Sequence, residues 1–188
     1  MTPDIIQAYG DEIYEALTER HTLKPLTERC PDITIEDAYQ ISLRLVQRRI
    51  DAGEVLVGKK IGVSSKAVQD MLNVHQPDFG FLTNGMVYDH GSEMPISTKL
   101  IQPRAEGELA FRLRKDLDGP HVTEEQVLDA TETVVPCFEI VDSRIENWKI
   151  KIEDTVADNA SCGLFVLGPD EVDPRQVDLV GSQMTVRK

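Results

Sequence analysis

Hydrophobic periodicity turns from purely helical to strand-bearing at Gly53, and that change limits the folds open to the chain. Before Gly53 the pattern is helical. Thr2 stands as an N-cap with Pro3 in the first helical position, and Ile6, Tyr9, Ile13 and Leu17 follow at spacings of three and four. A second helix begins at "TIED", where Thr34 caps and Asp37 takes the capping-box position, and runs through Leu43, Val46 and Ile50 to a stop at Gly53. After it come "EVLVGKKIGV", rich in β-branched residues, a short helical "SSKAVQDML" and a loop at "HQPDFG". The strand-like "AEGELAFRL", a turn at "DLDGPH", a helix opened by Thr123 with Gln126 at its box position, and the strands "VVPCFEIVD" and "GLFVLG" complete the order.

Two helices therefore precede any strand, and the expected fold class is α+β, with N-terminal helices packed on a mixed, curved β-sheet. The expected organisation is a helical region over 1–53 and a β-rich core over 54–188, joined as one structural unit, since no repeat or Gly/Ser linker divides the chain. With 188 residues and 40% apolar content a real core can form, but aromatics are only 5%, so Leu, Ile, Val, Ala and Met must fill it.

Charge narrows the partners. Acidic residues outnumber basic ones 33 to 20, and a surface of formal charge −13 repels a phosphate backbone, which argues against nucleic acid. Clustered carboxylates attract hard divalent cations instead. The three cysteines, Cys30, Cys137 and Cys162, form no CxxC pair and read as reduced thiols. The amphipathic, acidic N-terminus lacks the features of a signal peptide, and no run reaches membrane-spanning length, so a cytoplasmic protein is expected.

The chemistry-bearing pattern is "RAEGELAF". Glu106 and Glu108 lie two apart on a strand, roughly 6.5–7 Å along the chain, so both carboxylates face one way and Gly107 faces the other. E-x-E also fits a solvated acidic face, the commoner case. Glu139 shifts the balance, because it sits in "VVPCFEIVD" with apolar neighbours on both parities, the pattern of a strand buried on both faces. A buried glutamate needs a compensating charge. Three carboxylates from two strands suit Mg²⁺ or Mn²⁺; zinc would call for softer ligands.

In "VGKKIGV" alternation turns one of Lys59 and Lys60 inward, where an ammonium can pair with a carboxylate or act as an acid; an ordinary snorkelling lysine is the competing reading. Asp78 in "HQPDFG" and the polar "DTVADNASCG" (154–163) are expected in loops, where reactive groups are often displayed and where Asp and Asn also make plain turns. His75 is the one histidine beside a candidate site residue. No Walker loop and no G-x-S-x-G elbow is present.

Taken together, "GKKIGVSSKAVQDMLNVHQPDFGFLT", "LIQPRAEGELAF", "VVPCFEIVDSRIENWKIKIEDTVADNASCGLFVLG" and "PRQVDLV" resemble the 2-hydroxypenta-2,4-dienoate hydratases of aromatic meta-cleavage pathways, in the fumarylacetoacetate hydrolase superfamily. The resemblance covers essentially the whole chain. It implies a metal held by Glu106, Glu108 and Glu139, proton transfer by Lys60 and Asp78 with the acid and base roles open, and Ser161 close to the substrate. It implies a barrel-like core, a homo-oligomer, and association with a partner 4-oxalocrotonate decarboxylase. The related 4-oxalocrotonate decarboxylases share these motifs and form the alternative activity; acylpyruvate hydrolases fit less well. Chains of the resembled family continue past "QMTVRK", so a missing C-terminal part and an open sheet edge are expected. A non-catalytic fragment or partner-binding subunit is the further alternative.

Overall fold

A computed structural model describes residues 1–72 and 74–187. In chain order the elements are α1 (Pro3–Glu19), α2 (Leu26–Arg29), α3 (Ile35–Asp51), β1 (Leu56–Gly62), α4 (Lys66–Leu72), β2 (Asp78–Thr83), β3 (Val87–Tyr88), α5 (Ile96–Lys99), β4 (Arg104–Leu113), α6 (Glu124–Ala130), β5 (Thr131–Val141), α7 (Ile152–Ala157) and β6 (Leu164–Leu167). The class is α+β, as expected. Three helices, not two, precede the first strand, because the short α2 follows Pro25. The residues fall into two compact units: Met1–Val87 with Met94–Arg104 and Ile140–Leu164, and Tyr88–Glu93 with Ala105–Glu139 and Phe165–Lys188.

In the first unit, the capping box that opens α3 is formed on both sides. The Asp37 N–H donates to Thr34 Oγ1 at 3.1 Å, and the Thr34 N–H donates to the Asp37 carboxylate at 3.2 Å. The helix ends before Gly53, whose φ of +99° suits glycine alone. Its buried stripe is Ala38, Ile41, Leu45 and Val46; Leu43, assigned inward from the sequence, is exposed, because the stripe is set one position earlier. Ile13, Leu26, Ile41, Leu45 and Val156 fill the core, each worth about 1.5–3 kcal/mol in burial. Gly10 lets α1 and α3 approach, since a Cβ there would lie 2.5 Å from Arg44 Cβ.

Strands β1 and β2 pair antiparallel, with Lys60 opposite Gly80 and Gly62 opposite Asp78. Two sequence expectations change here. Asp78 opens a strand rather than lying in a loop, and the polar segment 154–163 is mostly regular: α7 followed by a tight turn at Asn159–Ser161. The acidic residues that suggested a loop instead cap and anchor, as Asp154 does by accepting from the Thr27 and Lys151 N–H groups.

A four-stranded sheet runs in the order β3-β6-β5-β4. The expected barrel-like core is not closed: the described strands form this sheet and the two-stranded β1-β2 ribbon. Strand β5 is not buried on both faces throughout, since Phe138 is 40% exposed while Glu139 is 7% exposed. Alternation therefore holds at its centre, and Glu139 lies on the inward parity. Among the described residues no helix is long and apolar enough to cross a membrane.

Gly107 has a packing role. A Cβ on it would lie 2.5 Å from Met184 Sδ and 2.9 Å from Val186 Cγ2. The C-terminal segment thus covers the side of β4 opposite Glu106 and Glu108. Met184 can rotate away from one methyl group but not from a branched side chain. Gly107→Ala is expected to cost under about 1 kcal/mol and Gly107→Val about 1–3 kcal/mol, measured by urea unfolding. Equal costs would contradict this packing.

Candidate active site

Strand pairing in the first unit sets Lys60 and Asp78 on either side of a glycine. A Cβ at Gly62 would lie 2.3 Å from Asp78 Oδ1 and 3.4 Å from Lys60 Nζ, so any side chain there would take the space these two groups occupy. Lys60, not Lys59, is the inward lysine: its Nζ donates to the Ala160 carbonyl at 3.0 Å. Lys59 instead lies over the Phe79 and Phe81 rings, at 5.9 and 5.6 Å.

Asp78 is 3% exposed. Burial pushes its carboxyl above the ordinary 3.8; the Lys60 charge and the backbone N–H groups of Asp78 and Gly62 pull the other way, without closing a hydrogen bond of full geometry on either oxygen. A buried carboxyl with spare acceptor capacity is suited to exchanging protons with a bound molecule. Asp78 also lines a cavity of about 380 Å³ with Tyr39, Val74, His75, Ile152 and Val156. His75 is thus on the wall of the same cavity.

Ser161 is brought to this region by an uncommon backbone. Asn159, Ala160 and Ser161 all have left-handed φ, at 54°, 51° and 53°. For residues with a Cβ this costs roughly 1–2 kcal/mol each, so the surroundings must enforce it. The Asn159 side chain does so from one side, accepting from the Phe81 N–H at 2.8 Å and donating to the Phe81 carbonyl at 2.9 Å. Gly80 lets the turn press onto β2: a Cβ there would lie 2.5 Å from the Asn159 carbonyl oxygen and 2.6 Å from Cys162 Sγ. The residue is 3% exposed, and among the described residues the Ser161 hydroxyl makes no hydrogen bond.

From the other side the turn is held by Arg144, which sequence reasoning did not single out. Its guanidinium is buried and ion-paired with Asp158, whose carboxyl burial pushes up to about 6 against the opposing pull of Arg144. Neither residue carries a pattern signal; a charged pair among apolar neighbours in "VDSRI" and "TVADNA" is the only hint.

In the second unit, Glu106 and Glu108 stand at alternate positions of β4 and are exposed, while Glu139 lies on the neighbouring β5 and is buried. The Cys137 thiol is pushed up to about 11, first by burial and then by the charges of Glu108 and Glu139, so these groups share one negative field. Among the described residues no three His, Cys, Asp or Glu side chains converge at metal-ligand spacing. The donor set, three hard carboxylates with one buried, does fit Mg²⁺ or another hard divalent cation.

A buried carboxyl with spare acceptor capacity beside a lysine is an arrangement suited to exchanging protons. No protein-family model matches the chain. It is 66% identical to a 2-hydroxypent-2,4-dienoate hydratase of Pseudomonas putida, over all of this chain and 85% of that protein, and 60% identical to a 2-hydroxyhexa-2,4-dienoate hydratase of Comamonas testosteroni, over 97% and 70%. Among solved structures it superposes on 4-oxalocrotonate decarboxylase from Pseudomonas putida G7, complexed with magnesium and adipate, with a TM-score of 0.91 at 32% identity over 95% of this chain and 68% of that one. The same decarboxylase complexed with calcium and acetate gives 0.89. The chain belongs to the 2-hydroxypentadienoate hydratase family and is a hydro-lyase.

Proposed function

We propose that this hydratase adds water to 2-hydroxypenta-2,4-dienoate, giving 4-hydroxy-2-oxopentanoate, in the breakdown of aromatic compounds. The observation that carries the reading is the half-buried Lys60 and the buried Asp78, both beside Gly62. The reaction is a sequence of proton movements: the enol O–H is lost as C5 gains a proton, then water loses a proton as its oxygen bonds to C4, and C3 gains one. Two protein groups of opposite preference are needed. Lys60 delivers the proton for ketonisation and Asp78 serves as base for water or for the migrating proton, the choice between the two being readable from the pH profile. The Ser161 hydroxyl, with its hydrogen bonds unspent, orients a substrate oxygen.

Glu106, Glu108 and Glu139 would hold the cation, Mg²⁺ or Mn²⁺. When bound it supplies positive charge that stabilises negative charge developing on the 2-oxo acid. Exposed apolar residues on β1 (Leu56, Val57, Ile61) and on β4 (Leu109, Phe111, Leu113) support assembly into a homo-oligomer, and a complex with a partner decarboxylase extends the same reading. The cytoplasm is the compartment such a catabolic enzyme would occupy.

The test is direct. Adding 2-hydroxypenta-2,4-dienoate with and without Mg²⁺ or Mn²⁺ is expected to give metal-dependent loss of dienol absorbance and formation of 4-hydroxy-2-oxopentanoate. Absence of metal-dependent product would overturn the reading. The fold likeness to a decarboxylase supports 4-oxalocrotonate decarboxylation as a second reading, and supplying 2-oxohex-3-enedioate separates the two, because a hydratase releases no CO₂. A folded, cation-binding but inert chain would instead favour the partner-binding subunit.

A further inference from the structure

We infer that Arg144 is a positioning residue for this reaction: its buried guanidinium sets the left-handed turn Asn159–Ser161, which places the Ser161 hydroxyl and the Ala160 carbonyl that holds Lys60. The inference rests on the reading of Lys60, Asp78 and Ser161 as reacting groups.

The guanidinium fork spans the turn. Nε pairs with Asp158 Oδ1 at 2.5 Å and Nη2 donates to the Asp158 carbonyl at 2.6 Å, both on the residue before the turn. Nη1 donates to the Cys162 carbonyl at 2.9 Å, on the residue after it, and also to the Asp142 carbonyl. The backbone joins in, as the Arg144 N–H donates to Asp158 Oδ2 at 2.9 Å and the Asp142 N–H to the Ser161 carbonyl at 2.9 Å. Ser143 Oγ completes the carboxylate's partners at 3.2 Å. One rigid, planar group therefore ties down both ends of a three-residue backbone arrangement that is unfavourable by itself.

A buried ion pair adds little net stability over apolar packing of similar volume, so what this pair contributes is geometry. The geometry continues into the reacting groups. Lys60 Nζ donates to the Ala160 carbonyl, and Ala160 is the middle residue of the turn. If the turn relaxes, Ser161 Oγ moves and Lys60 loses the Ala160 acceptor, while Tyr39, Val74 and His75 of the cavity wall lie outside the turn. Displacements near 1 Å at reacting groups cost about a hundredfold in rate.

Two variants separate positioning from charge balance. Arg144→Lys keeps the charge beside Asp158, but one ammonium cannot reach carbonyls at 142, 158 and 162 together. Arg144→Met with Asp158→Asn removes both charges and leaves neither ion unpaired. In the Mg²⁺-loaded protein, both are expected to lower kcat about a hundredfold with KM and the Mg²⁺ Kd within about threefold of wild type. Amide exchange should accelerate at 159–162 and stay unchanged in α1 and α3. A kcat within threefold of wild type in either variant, a loss confined to KM, or unfolding of both variants would each overturn the inference. Amide exchange also reads the turn without turnover. Should the wild-type protein fail to hydrate the dienoate, faster exchange at 159–162 in Arg144→Lys would support Arg144's hold on the turn and locate the failure in the hydratase reading; unchanged exchange would overturn both.

Discussion

Lys60→Met is expected to fold and to lose about 10²–10⁴-fold in kcat, the usual worth of one general acid or base. Methionine matches the lysine stem beside Gly62 but cannot donate to the Ala160 carbonyl. It also removes the cation that opposes burial at Asp78, so the carboxyl moves further up and the acid limb of the residual kcat/KM profile shifts to higher pH. Asp78→Asn is expected to lose as much activity, with the opposite effect on stability. Asp78 titrates above 3.8 in the folded protein, so its contribution to stability is fully present below the unfolded value and is lost as pH rises through the folded one. Above the folded value the wild type carries that loss and the asparagine variant does not. The Tm difference between Asp78→Asn and wild type should grow as pH rises above the ordinary 3.8, and a difference independent of pH would contradict the upward shift of the buried carboxyl. A gain in stability coupled to a loss of activity is the pattern expected where a site retains a group the fold would rather neutralise.

The parts of this fold legible in the sequence are those set locally. The Thr34–Asp37 and Thr123–Gln126 boxes open helices where their spacing placed them, because a capping box satisfies its own backbone donors without help from the rest of the chain. The two-residue period of β1 required one of Lys59 and Lys60 to face inward, and the structure makes it Lys60. What was not legible depends on partners far along the chain. Asp78 opens a strand because Gly62, sixteen positions earlier, pairs with it, and "DTVADNASCG" is regular because its acids find Thr27, Arg144 and Ser143 rather than solvent. The left-handed run at Asn159–Ser161 leaves no local mark, since Ala160 and Ser161 are ordinary residues forced there by Arg144 and by Gly80. In "VVPCFEIVD" both parities are buried at Val134 and Val135 and at Ile140 and Val141, and the two-faced reading fails at Phe138, which is apolar and exposed. Apolar character says what a residue can do in a core, not that a core covers it.

Glu139→Gln is expected to weaken divalent cation binding at least about a hundredfold, more than Glu106→Gln or Glu108→Gln, each of which should cost about tenfold. The difference comes from burial. Glu106 and Glu108 are exposed, where water screens their charge, whereas Glu139 is 7% exposed and shares its negative field with Glu108 beside Cys137. A cation relieves that field, and the glutamine variant should lose both affinity for Mg²⁺ and the stabilisation that added Mg²⁺ confers. For a site that binds only the folded state, that stabilisation is about 2.7 kcal/mol at a hundred times Kd, large enough to read as a shift in Tm. Thermal unfolding of wild type and of Glu139→Gln across a Mg²⁺ series measures both effects with no substrate present. A shift in the variant equal to that of the wild type would remove Glu139 from the ligand set. A shift in neither protein would place the cation's carboxylates elsewhere in the chain, and would leave the three glutamates as the acidic strand face that their spacing alone also allows.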